Sequence, residues 1–209
     1  MKALSALAIA TTLAACLATL AVPAVAQQRA DPDWPCVQRK VPELSVAGVW
    51  SGPEVDPSAA RWQEDKEISE LATQLASRRV PVEEATSALK AFAETLKPDE
   101  KAERLPLLFA GLFVLLDRER GEVMSGIERY GRAQKAMAEQ IRADQSRLSD
   151  LNSSKRDPQQ ASALTTQLQT QVRIFNDRSH SLTYVCEVPT LIEQRLFALA
   201  RAIQSEIQS

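Results

Sequence analysis

The chain has 209 residues, with 25 basic and 27 acidic side chains, a formal net charge of −2 and a single histidine. That balance argues against nucleic acid or anionic lipid as a partner, since both reward a basic excess. Three cysteines, none in a C-x-x-C or C-x-x-C-H pattern, leave no structural zinc or haem attachment site.

Met1-Lys2 is a short positive start, Ala3 to Val22 is apolar, and Ala24-Val25-Ala26 forms a small-residue cleavage pattern before Gln27. Residues 1–26 are therefore predicted to be a cleaved secretory signal peptide, leaving a periplasmic or secreted bacterial chain. A rival reading takes Leu13-Ala14-Ala15-Cys16 as a lipoprotein motif with Cys16 as the acylated terminus. The apolar run continuing to Val22 speaks against it. The remaining roughly 180 residues suffice for one domain with a core. They hold two cysteines, Cys36 and Cys186, which in an oxidising compartment are expected to pair. Closing a loop of about 150 residues stabilises by up to ~5 kcal/mol.

Residues 27–56 read as an irregular, proline-rich strap, with Pro32, Pro35, Pro42 and Pro53. Its apolar residues, including Trp34, Val41, Leu44 and Trp50, are too many for a free tail. The expectation is an extended segment lying on the helices and stapled by Cys36.

Residues 57–209 read as an α-helical domain. Asp56-Pro57, Pro81 before Glu83-Glu84, Pro98 before Asp99-Glu100, and Asp157-Pro158 are helix-start signals. They predict helices over about 57–78, 81–96, 98–151 and 158–207. A break or kink is expected at Leu105, before Pro106, and another near Pro189. The acidic cluster Glu64, Asp65, Glu67 and Glu70 reads as a solvated face. Gly121, Gly126 and Gly131 share no helical face and read as a flexible or kinked root within the third long helix. The apolar run Leu105 to Leu116 is too short to span a bilayer, so no transmembrane segment is expected in the mature chain.

Two heptad patterns dominate the second half. One is Val123, Ile127, Tyr130, Gln134, Met137, Ile141, Asp144, Leu148 and Leu151. The other runs from Ala161, Leu164, Leu168, Gln171, Phe175 and Arg178 through Leu182, Val185, Pro189 and Ile192 to Ile203. Such 4-3 spacing is the seam of a coiled coil, and a short connector folds the two helices back antiparallel. The predicted fold is all-α: a helical-bundle base, a long antiparallel two-helix coiled-coil hairpin over about 122–190, and the strap. From Val123 to Leu151 the hairpin extends ~42 Å.

No catalytic residue, cofactor or metal ligand is assigned. There is no G-x-S-x-G elbow and no glycine-rich phosphate loop, and Asp177-x-x-His180 occurs once where di-metal bundles use such a pair twice. The leading expectation is an exported envelope protein, an adaptor or assembly factor, acting through the hairpin. Arg147, Lys155 and Arg156 near its tip are the partner-binding candidates, and the partner is another envelope protein or a second copy in a homodimer. One alternative is a small-molecule sensor or carrier using Trp34, Trp50, Trp62, Phe92 and Phe109 around the base. Another is a periplasmic holdase chaperone.

Overall fold

A computed structural model describes residues 31–154 and 157–209. The signal-peptide and Cys16 readings, and the tip residues Lys155 and Arg156, lie outside the described residues. Residues 31–45 have no regular secondary structure, and a single helical turn, α1 (Val46–Val49), follows. Then come α2 (Lys66–Ala76), α3 (Val82–Glu94), α4 (Pro98–Ser154) and α5 (Pro158–Gln208). The described residues contain no strand. Helices α4 and α5, 57 and 51 residues long, pack antiparallel against each other. At 1.5 Å per residue they extend ~86 Å and ~76 Å. Among the described residues no helix is long and apolar enough to cross a membrane.

Helix starts follow the expected chemistry at three points. Asp157 accepts from the Gln160 amide at 2.8 Å, with Pro158 at the first helical position. Glu100 reaches back to the Lys97 amide at 2.9 Å, and Glu83 and Glu84 occupy the first turn of α3. Each satisfies or electrostatically complements amides that have no partner inside the helix.

The expected helix over 57–78 is replaced by two 3₁₀ turns, Pro57–Ala59 and Arg61–Gln63, with α2 starting only at Lys66. Asp56 does cap, accepting from the Ser58 amide at 3.0 Å, but Ala60 turns left-handed at φ 54° and ends that turn. Asp65 then caps α2 through the Ile68 amide. The interruption places Trp62 against Gly111 of α4, where even an added Cβ would lie 2.9 Å from the indole.

Helix α4 continues through Pro106 and α5 through Pro189, so of the kink or break expected at Leu105 the break does not occur. A mid-helix proline costs about 3 kcal/mol. Leu105, Leu108, Phe109 and Leu112 beside it are completely buried. At about 2 kcal/mol for each such side chain, packing outweighs the local penalty.

The main core lies at the base. Ile68, Ala72 and Leu75 of α2 and Ala85, Leu89 and Ala93 of α3 face Leu108, Leu112 and Leu116 of α4 and Ile192, Leu196 and Leu199 of α5. Trp50 stacks on Phe109 with ring centroids 4.1 Å apart, joining the strap to this core. Arg195 closes the end of α2. It donates to the Leu75 carbonyl at 2.5 and 2.8 Å, an acceptor that the end of α2 leaves orphaned, and to the Val80 carbonyl at 2.8 Å in the turn before α3. Burial pushes its guanidinium below its ordinary pKa.

Candidate interaction surface: the helical arm and its strap

Above the base, α4 and α5 continue as a two-helix arm whose lower half carries the strap. Cys36 is disulfide-bonded to Cys186 of α5, with Cα atoms 5.6 Å apart. The strap crosses α4 at Gly131, where an added Cβ would lie 2.7 Å from the Asp33 carbonyl and 3.1 Å from the Pro35 ring. Gly131 is thus a crossing point, which the sequence reading as a flexible root did not foresee. Gly121 has open space beside it and Gly126 only the end of Arg129.

Polar contacts fix the strap's path down the arm. Asp33 pairs with Arg132 at 3.2 Å and Lys135 at 3.4 Å. Lys40 donates to Asp31 at 2.5 Å and also pairs with Glu128. These hydrogen bonds hold the Lys40 ammonium above its ordinary pKa. The bond from Lys40, with a second from the Asp33 amide, holds the Asp31 carboxyl below the usual carboxylate range. The buried Arg120 donates to the Val41 carbonyl and to Glu193 of α5, both at 2.6 Å, linking strap, α4 and α5 through one side chain.

Inside the arm the register is antiparallel. Tyr130 Oη donates to the Arg178 carbonyl at 2.9 Å. Gln134 Nε2 donates to the Phe175 carbonyl and Ser179 Oγ, both at 3.2 Å, and Gln167 Nε2 to Asp144 at 3.4 Å. Two positions of the second heptad depart from the seam. Arg178 and Val185 are exposed, and Cys186 is buried instead. Cys186 is the residue bonded to the strap, and beyond it the original register resumes with Pro189 and Ile192 buried.

The outer arm lacks a strap. Its buried cluster is Ile141, Leu164 and Leu168, with Met137, Leu148, Leu151, Val172 and Phe175 partly covered. The three central residues keep 7–8 % exposure, whereas Leu112 and Leu196 in the base keep none. The side-chain carbonyls of Gln134 and Gln171 are buried without a donor among the described residues. A groove of about 540 Å³ opens along one side of the outer arm, lined by Leu148, Leu168 and Val172 and rimmed by Arg173, Asn176 and Asp177.

Arg147, the described member of the tip candidates, is exposed on α4. The aromatic candidates lie elsewhere. Trp50, Trp62 and Phe109 are buried in the base core. Phe92 is half-buried beneath Arg104, 5.2 Å from its ring centroid. Trp34 is half-buried in the strap, donating its indole N–H to the Gln38 carbonyl at 2.6 Å. Trp62 lines a cleft of about 260 Å³ with Pro53, Val55 and Pro106. The acidic cluster does more than face solvent. Asp65 and Glu67 bind Arg104 at 2.9 and 2.7 Å, and the Arg104 hydrogen bond holds the Asp65 carboxyl below the usual range. His180 and Asp177 are exposed, and the described residues hold no group of three or more metal-ligating side chains.

Compared with family models, with curated proteins and with solved structures, the chain finds no match.

Proposed function

We propose that this is an exported envelope protein that acts by protein–protein interaction, its coiled-coil arm serving as the contact element of an adaptor or assembly factor, without catalysis. The observation that carries this reading is the unequal closure of the molecule. The base buries a large apolar core and the lower arm is strapped, while the outer arm buries only a small apolar cluster beside a groove. A two-helix unit with a thin seam gains stability from a further helix laid against it. The strap and disulfide hold the root, so the outer arm is presented in a fixed direction. Export supplies the oxidising compartment that the Cys36–Cys186 bond requires.

Replacing residues 140–168 by a short glycine-rich turn tests the reading. Partner capture in cells is expected to be lost while the base keeps its helical content and cooperative unfolding. Full partner capture by the shortened protein contradicts it. The carrier reading draws on one observation, the cleft beside Trp62, whose indole N–H has no acceptor among the described residues. A saturable rise in melting temperature with one small molecule, abolished by Trp62→Phe, would favour that reading.

A further inference from the structure

We infer that Asn152, at the tip of the arm, is an N-glycosylation acceptor that takes an oligosaccharide from a lipid pyrophosphate donor during export. The inference goes beyond the contact role of the arm and rests only on the export part of that reading.

The chain carries the signal once. In Asn152-Ser153-Ser154 an asparagine is followed, two residues on, by a hydroxyl, with no proline between them. The longer form of this signal, used in bacterial export, adds an acid two residues before the asparagine, and Asp150 supplies it. Asn176, the other asparagine of the chain, has Arg178 where the hydroxyl is needed.

The fold puts this signal where a transferase can reach it. Asn152 lies in the last turn of α4, which ends at Ser154, and α5 starts at Pro158. Asp150, Asn152, Ser153 and Ser154 are all exposed. The last turn of a helix has carbonyls without an intrahelical donor. Here the Ser153 hydroxyl donates to the Ser149 carbonyl at 2.9 Å and the Ser154 hydroxyl to the Leu151 carbonyl at 3.2 Å. Both bonds are exposed, so water replaces them at small cost. The nearest buried residue of α4 is Asp144, about two turns away. Drawing residues 150–154 out of the helix is therefore a local opening that leaves the buried cluster of the arm in place. A glycan on an exposed tip residue extends into solvent and displaces no packed side chain.

The transfer balances as a substitution at carbon. Nδ2 of Asn152 attacks the anomeric carbon of the first sugar. A C–N bond forms, the bond from that carbon to the pyrophosphate oxygen breaks, and the lipid pyrophosphate leaves with the electron pair. The amide gives up one proton to a base of the transferase. Ser154 and Asp150 are recognition groups and make no bond to the sugar.

The test is the intact mass of the full chain exported by a bacterial host that carries a periplasmic oligosaccharyltransferase and its lipid-linked oligosaccharide. The wild type is expected to gain the mass of one oligosaccharide. Asn152→Gln and Ser154→Ala are each expected to lose the whole increase, Asp150→Ala most of it and Asn176→Gln none. All four positions are exposed, and circular dichroism checks that each variant keeps its fold. Removal of residues 1–26 and the Cys36–Cys186 bond, read from the same spectra, report export. An exported, disulfide-bonded wild type with no added mass, or an increase that survives in Asn152→Gln, would overturn the acceptor assignment and leave export standing. A chain that keeps residues 1–26 and stays in the cytosol would overturn both.

Discussion

Gly131 and Gly121 sit in the same helix, ten residues apart, and the structure gives them opposite sensitivities. Alanine normally stabilises a helix interior over glycine by about 0.5–1 kcal/mol. Gly121→Ala, with open space beside it, is expected to show that gain. Gly131→Ala drives a methyl to within 2.7 Å of the Asp33 carbonyl and is expected to destabilise by about 1–2 kcal/mol through displacement of the strap. Urea unfolding of the two variants side by side checks the difference in sign. Arg195 offers a larger effect. Arg195→Leu leaves the Leu75 and Val80 carbonyls unpaired in a buried site and is expected to cost about 3 kcal/mol. Asp65 sets a pH dependence. Arg104 and the Ile68 amide hold its folded pKa below the ordinary 3.8, so its stabilisation is complete above that value and is lost as pH falls through the folded pKa. Stability differences between wild type and Asp65→Asn are expected to shrink as pH drops below about 3.8, read from melting temperatures across an acid series. None of these roles was legible in the sequence. Gly131 meets Asp33 across 98 positions of chain, and Asp65 reads as one acid among four until a helix is seen to begin there.

At the level of elements the sequence carried more. Apolar residues recurring every three or four positions specified α4 and α5 and their antiparallel pairing, because periodicity reports which face is buried. Proline followed by acids marked the starts of α3 and α4, and Asp157-Pro158 marked that of α5. The unbroken path through Pro106 was not legible, because the compensating burial comes from α2, α5 and the strap. The first long helix was overextended for a similar reason: Trp62 is drawn into the Gly111 notch by tertiary packing, a preference no local window records. Cys36 and Cys186 were paired by arithmetic and compartment, and the structure shows the bond. Cys36→Ser with Cys186→Ser is expected to lower stability by about 2–5 kcal/mol. It should also raise amide hydrogen exchange over residues 31–42 well beyond the loss of protection in the base core, which contains neither cysteine and loses only what the fall in global stability takes.

For the whole molecule, the division that matters is between a base with a large buried core and an arm whose outer half buries only a small cluster. The candidate site was legible as a region, since the heptads located the hairpin. The groove was not, because it depends on which flank of α5 the α4 helix leaves uncovered. The central claim, that the arm is the contact element, is tested most directly by site-specific photo-crosslinking in living cells. Probes would sit at positions 147, 155 and 156 on the arm and at 90 and 94 on the base. Adducts of one discrete mass from the arm, with none from the base, are the predicted result. Adducts from the base with none from the arm would contradict the account.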